Sequence, residues 1–288
     1  MTADDTEQAR PEEAVPPAVR AVYGPEDLSS VPAFRGGFIN FGCWDGISLD
    51  GPLTAGDRVR SERQLYRRVL DALDGAGEGR GRALEVGCGL GLGCALALEE
   101  YAYDAVTGMD IHPDQLERAR RANAALLASA PGRLRLVRGA AERMPCGDGE
   151  FDRVYSVEAA QHFRDLDAFA AECARVLRPG GRLAVASFFV PGEEERPEAA
   201  DELAARLDSF ASGLDAARPL GALTGAFAAA GLADVRPESI GASVWPGLDH
   251  YLAGLDLGVT WPRAFLTSYR DGLLDYYLVT AARAEADG

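Results

Sequence analysis

The sequence predicts an α/β fold of Rossmann-like type: a seven-stranded, mostly parallel sheet with helices on both faces and a helical cap. Three observations predict it. Short apolar runs alternate with helical stretches from residue 83 to residue 190, the links between them are short, and the first run meets a glycine cluster that opens a helix. Repeated strand–helix–strand units with short links fold as a parallel sheet covered on both sides.

The elements follow in order. Residues 1–19 are rich in Pro, Glu and Ala and read as a disordered acidic tail. Residues 20–50 carry Tyr23, Phe34, Phe38, Phe41 and Trp44 and should order against the body. Residues 58–74 form an amphipathic helix through Leu65, Val69 and Leu73, followed by the break GAGEGRG. ALEVG (83–87) is the first strand and CALALEEYA a helix; AVTGMDI (105–111) is the second strand. Residues 113–130 read as one helix with Pro113 at its start. RLRLVRG (133–139) and FDRVYSV (151–157) are strands three and four. DLDAFAAECARVL is a helix stopped by the Pro-Gly-Gly turn at 179–181, and RLAVASFFV (182–190) is the fifth strand. Residues 193–216 interrupt the pattern with Leu203, Leu207, Phe210 and Leu214 on one face, readable as a packing helix, as a cap over a pocket, or as both. LTGAFAAAGL is a helix, ADVRPESIG the sixth strand and LLDYYLVTAAR (273–283) the last. The organisation is one domain over 20–288: a lid and helix (20–75), a ligand-binding core (76–190), cap and pocket insertions (191–270), and the last strand and tail (271–288).

Composition excludes several functions. A net charge of -16 opposes nucleic acid and anionic membrane surfaces as partners, because both require clustered cations. The chain has no lysine, so it can form no Schiff base with pyridoxal phosphate and offers no P-loop cation. Cysteines at 43, 88, 94, 146 and 173 lack C-x-x-C spacing, and His112, His162 and His250 are scattered, so no metal site is expected. Reduced thiols, an acidic start unlike a secretory leader and the lack of a long apolar run lead to the expectation of a cytoplasmic protein.

The most informative segment is Glu85-Val-Gly87-Cys-Gly89-Leu-Gly91-Leu-Gly93. A strand ends, glycines turn the chain and a helix starts, which is where ligands bind in such sheets. The dinucleotide fingerprint fails in each register, since Leu92, Cys94 and Leu96 stand where a glycine or alanine is required. Glu85 would repel a pyrophosphate and attract an ammonium, and S-adenosylmethionine carries one on its methionine tail. Asp110 closes the second strand and offers two acceptors to a ribose diol; by itself it could equally cap the next helix.

The series Glu85, glycine loop, Asp110 resembles motif I and its acidic partner in class I methyltransferases, and the similarity runs from about residue 36 onward. GAAERMPCGDGEFDRVYSVEAAQHF (139–163) and RVLRPGGRLAVASFF (175–189) are similar to that family's third-to-fourth and fifth strand regions. FINFGCWDG (38–46) resembles the Asn-x-Gly-Tyr-Trp segment of the branch holding tocopherol, sarcosine/dimethylglycine, geranyl diphosphate and antibiotic-sugar methyltransferases. The resemblance implies S-adenosyl-L-methionine as cofactor. It places Glu85 with Gly87, Gly89 and Gly91 at the methionine part and Asp110 and Gln115 at the ribose. Ile111, Ala141, Glu142 and Val157 fall around the adenine and cleft wall, and Trp44 near the sulfonium, where cation–π attraction would act. Two positions depart from the pattern: Ala140 replaces the usual Asp for the adenine amino group, and Cys43 replaces the usual Tyr.

Methyl transfer is an in-line displacement, so alignment and water exclusion dominate and a base is needed only when the acceptor must lose a proton. Glu158 and His162, four apart after the fourth strand, would share one face of a helical turn and are the catalytic candidates, with a structural Glu–His pair as the alternative. His112 falls at the adenine edge or the surface, His250 at the surface or the acceptor pocket, and Tyr276 and Tyr277 in the core. The acceptor pocket would be built from 22–45, 193–216 and 241–270, which hold all three tryptophans. The expected function is methyl transfer to a small molecule in natural-product metabolism, antibiotic biosynthesis included. A cyclase or binding protein that keeps the cofactor as scaffold, or an RNA or protein methyltransferase, are the competing classes.

Overall fold

The computed structural model describes residues 15–24, 27–73 and 81–285. The tail expected to be disordered lies outside the described residues up to position 14, as does nearly all of the glycine-rich break after the first long helix. Residues 15–19 depart from the expectation. Helix α1 spans Pro17–Tyr23, and Val15 and Val19, one turn apart, are both buried.

The strands are β1 (Arg82–Val86), β2 (Ala105–Asp110), β3 (Leu134–Arg138), β4 (Phe151–Val157), β5 (Leu177–Phe189), β6 (Leu232–Ser239) and β7 (Asp275–Arg283). They form one seven-stranded sheet in the order β3-β2-β1-β4-β5-β7-β6. The first five are parallel, while β7 runs antiparallel to both β5 and β6. The order reverses between β1 and β4, so the crevice beyond their carboxyl ends is the expected ligand site.

Side-chain alternation loads both faces. In β5, Ala184, Ala186 and Phe188 join one core cluster, and Leu183, Val185 and Phe189 join the other. The first cluster packs under α2 (Ala55–Leu73), α3 (Leu92–Glu100) and α10 (Gly241–Ala253); the second packs under α6 (Leu166–Val176) and α9 (Leu220–Ala229). Helix α2 starts three residues before its apolar stripe predicts, because Thr54 and Asp57 cap it reciprocally: the Asp57 carboxylate accepts from the Thr54 N–H at 2.9 Å and the Asp57 N–H donates to the Thr54 hydroxyl at 3.1 Å.

Two predicted elements differ. The stretch 113–130 is not one helix but α4 (Pro113–Ala122) and α5 (Ala124–Ser129), parted at Asn123. The Asn123 amide donates to Leu90 O and Ala119 O, both at 2.9 Å, so the break fastens helix to glycine loop. The Pro-Gly-Gly run is not a free turn. Helix α6 ends at Val176 and the run lies inside β5, where pairing with β4 shifts register. The interrupting segment folds as α7 (Pro197–Arg206) and α8 (Asp208–Ala211), with Leu203, Leu207 and Phe210 buried and Leu214 half-buried. A helix α11 (Trp261–Arg270) precedes β7. No helix among the described residues is long and apolar enough to cross a membrane.

Leu65 is fully buried between α2 and the sheet. Leu65→Ala should therefore lower unfolding free energy by about 2–5 kcal/mol, measured by urea denaturation with the slope unchanged.

Candidate active site

The carboxyl end of β1 runs into a loop that only glycine satisfies. Gly87 and Gly89 have φ of 78° and 51°, and a Cβ on Gly87 would lie 2.4 Å from the Ala159 methyl. The loop is tied to β2. Gly87 N–H and Cys88 N–H donate to Met109 O, and Gly89 N–H donates to one Asp110 carboxylate oxygen at 2.9 Å. The other Asp110 oxygen accepts from His112 N–H at 2.8 Å. Burial pushes the Asp110 carboxyl up to about 6, against these donors.

Above this loop lies an open cleft of about 890 Å³, mouth included. Ten of the residues expected at the site line it: Gly87, Gly89, Asp110, Ile111, Gln115, Ala141, Glu142, Val157, Glu158 and His162. Three do not. Gly91 caps α3 at φ 66° and packs toward Asn123 and Leu136, one step behind the cleft. Trp44 faces away. Its indole fills the space left by Gly247, tilts against Tyr251 and lies under the Arg58 guanidinium, outside the cleft where a sulfonium was expected to meet it. Glu85 lies on the core face of β1, fully buried beneath the cleft floor. Tyr66 donates to one of its oxygens at 2.8 Å; Cys94 at 2.9 Å and Tyr155 at 3.3 Å donate to the other. Burial raises Glu85 to about 7.

Glu158 and His162 both face the cleft but share no helical face. Glu158 has φ 49°, and only Ala160–His162 forms a short 3₁₀ turn, so the four-residue spacing has no helix to act through. One Glu158 oxygen accepts from Phe41 N–H at 2.6 Å and from the Tyr276 hydroxyl at 2.9 Å. Burial, the largest influence, raises this carboxyl to about 8. His162 Nδ1 lies 2.8 Å from Leu214 O, an acceptor only, so Nδ1 carries the proton and Nε2 the lone pair. Nε2 is met by the Tyr23 hydroxyl at 3.1 Å and the Gln161 amide at 3.3 Å, while Asp215 lies 3.3 Å from Nδ1.

Other residues line the cleft besides those named for the cofactor, some of them, such as Pro16, Val19 and Tyr66, without a sequence signal for it. Val19 and Tyr23 come from α1 and Pro16 from just before it; Arg118 holds the end of the helix by donating to Tyr23 O at 2.7 Å and Gly24 O at 2.8 Å. Phe38 and Ile39 belong to a strap pinned by Arg58. This buried guanidinium donates to Ala33 O and Asn40 O and pairs with Glu62 at 3.2 Å. Tyr66 sits one position past the Leu65 stripe, reachable only by a wider helical face. His112 caps α4 by accepting from Asp114 N–H at Nδ1, and its Nε2 is buried without a partner among the described residues. His250 is at the surface on Gly51 O, Tyr276 reaches the site through its hydroxyl, and Tyr277 packs in the core. The expected acceptor aromatics form a packed cluster, with Trp245 and Phe265 stacked at 5.1 Å and Phe41 and Phe188 against them.

A doubly wound sheet of this order, with a glycine loop and an acidic residue closing β2, defines the class I methyltransferase fold. Residues 84–185 match the family model described as a methyltransferase domain. Methyltransferase GfsG of Streptomyces halstedii is 37% identical over 163 residues, 54% of this chain and 52% of that one. The phthiotriol/phenolphthiotriol dimycocerosates methyltransferase of Mycobacterium leprae is 34% identical over 150 residues, 52% of each chain. The chain thus spans about half the length of the curated relatives it matches. Among solved structures, geranyl diphosphate C-methyltransferase from Streptomyces coelicolor A3(2) superposes with a TM-score of 0.78 over 96% of this chain and 99% of that one, at 19% identity.

The cofactor of this domain class is S-adenosylmethionine, and the cleft fits it. Space opens above Gly89, where an added Cβ would find its nearest neighbour, the Gln115 amide, at 3.8 Å. Asp110 supplies acceptors at the strand end, and Ile111, Ala141 and Val157 supply apolar wall.

The buried carboxylates set a pH dependence. A carboxyl raised by folding binds protons more tightly folded than unfolded, so its contribution is complete below the unfolded value and is lost as pH rises through the folded one. Glu158, ordinarily 4.5 and here about 8, should make the protein lose stability between roughly pH 5 and 8. Thermal melts across that range should show the loss, and Glu158→Gln should flatten the curve while keeping the acceptor for Phe41 and Tyr276.

Proposed function

We infer that the whole protein transfers a methyl group from S-adenosylmethionine to a small-molecule acceptor, at oxygen, nitrogen or carbon. The observation that carries this reading is a single cleft in which the glycine loop and Asp110 share walls with Glu158 and His162. When bound, the cofactor supplies a methyl on a positively charged sulfur and leaves as a neutral thioether.

The chain's own groups divide the rest of the work. Asp110 and Gln115 serve the ribose, and Ile111, Ala141 and Val157 flank the adenine. Glu142 keeps one oxygen for the adenine side, the other accepting from Arg164 N–H at 2.7 Å. His162 Nε2 takes a proton from an acceptor that displaces the Tyr23 hydroxyl from its lone pair, and Asp215 stabilises the imidazolium formed. Glu158, raised to about 8, is mostly protonated at neutral pH and orients the acceptor as a donor.

The relatives' names support a small-molecule acceptor, since the mycobacterial one is named for phthiotriol and phenolphthiotriol dimycocerosates and a structural neighbour for geranyl diphosphate. Secondary metabolism, antibiotic biosynthesis included, is the setting that fits. The net charge of -16 supports a partner other than RNA, and five free cysteines support a reducing cytoplasm.

Labelled methyl from S-adenosylmethionine, offered with fractionated metabolite extracts, should appear in a small product. His162→Ala should cut that turnover by about 10²–10⁴ with S-adenosylhomocysteine affinity kept. Asp110→Ala should weaken S-adenosylhomocysteine by about tenfold or more in calorimetry. Cofactor binding with no methyl ever moved would favour a scaffold role, and unchanged affinity in the Asp110 variant would remove the ribose assignment.

A further inference from the structure

Glu85 is the carboxylate expected to meet the cofactor's ammonium, yet it does not reach the cleft. Its two oxygens are engaged by three side-chain donors, and the one that also lines the cleft is Tyr66. The Tyr66 ring edge occupies the space of the missing side chain at Gly93. A Cβ there would lie 2.1 Å from the ring and 2.7 Å from the Glu85 oxygen. Phe38 packs against the other side of the ring, with centroids 5.5 Å apart. Tyr66 is therefore wedged between strap, helix α3 and strand, with its hydroxyl on the carboxylate and the residue itself lining the cleft.

A phenol hydroxyl donates one hydrogen bond and accepts others, whereas an ammonium only donates. The geometry points to Tyr66 as the ammonium-binding residue: its oxygen accepts from the cofactor's amino group while its own O–H keeps donating to Glu85. The carboxylate then acts through the phenol, at one bond's remove, and need not be uncovered. Burial and the neighbouring Glu85 charge raise the Tyr66 phenol well above its ordinary value, which keeps its proton in place. Charge in the network is complementary, with one ammonium against one buried carboxylate. A ligand lacking the amino-acid tail makes no use of it. This inference rests on the cofactor assignment above.

Calorimetry with two ligands separates the possibilities. S-adenosylhomocysteine carries the amino group and 5′-methylthioadenosine does not. Tyr66→Phe keeps the ring and should weaken S-adenosylhomocysteine by about tenfold or more, the scale of a hydrogen bond to a charged group. It should leave 5′-methylthioadenosine within about twofold, which also shows that the variant folds with its cleft intact. Unchanged or tighter S-adenosylhomocysteine binding in Tyr66→Phe would make Tyr66 a plug displaced from Glu85, and equal weakening of both ligands would make it packing alone; either result overturns the relay. If the wild-type protein bound neither ligand, the cofactor reading itself would fall, and the relay with it.

Discussion

A carboxylate held on the dry face of the central strand constrains most of what surrounds it. Glu85 can be buried only because phenol, thiol and phenol donate to it, and those donors come from α2, α3 and β4. An unsatisfied buried charge costs several kcal/mol, so each element must arrive in register for the first strand to be stable. The same requirement fixes Gly93, since any side chain there would displace the Tyr66 ring. The glycine loop therefore inherits its position from an electrostatic condition beneath it as well as from its own torsions.

Asp110 performs the corresponding duty one strand over. Its two oxygens receive backbone N–H groups from the loop and from the start of the following turn, joining the carboxyl ends of β1 and β2 into one rim. The opposite wall is made by segments far apart in sequence. Arg58 pins the strap that delivers Phe41 N–H to Glu158, and Arg118 pins the first helix, which delivers Tyr23 to His162. Two arginines outside the cleft lining thus determine where two of the catalytic candidates are held.

The glycine loop, Asp110 and the strand–helix alternation were legible because each depends on local rules: turn torsions, strand ends and apolar periodicity. Gly87, Gly89 and Asp110 follow from those rules, whereas Ile111, Gln115, Ala141, Glu142 and Val157 came from the family resemblance and Glu158 and His162 from their place after the fourth strand. What was not legible depends on tertiary partners. Trp44 reads as an aromatic awaiting a cation, but the space at Gly247 on a distant helix decides its direction. Glu158 and His162 read as a helical pair, but a left-handed residue at 158 sends the two side chains to different neighbours. Glu85 reads as an acid that meets an ammonium, but its face of the strand, and so its cover by Tyr66, depended on which helix packs there. Val15 and Val19 were hidden inside a compositionally disordered stretch, yet both are buried and Val19 lines the cleft.

Strand β7 lies between β5 and β6, although it follows both in the chain. During synthesis β6 has no neighbour to pair with until residue 275 and beyond have emerged, so this half of the sheet closes late and through long-range contacts. Tyr276, on that late strand, supplies the hydroxyl that holds Glu158. Maturation of the Glu158 wall is thereby coupled to completion of the sheet, and a nascent chain can shape the glycine-loop rim before the opposite side of the cleft is finished.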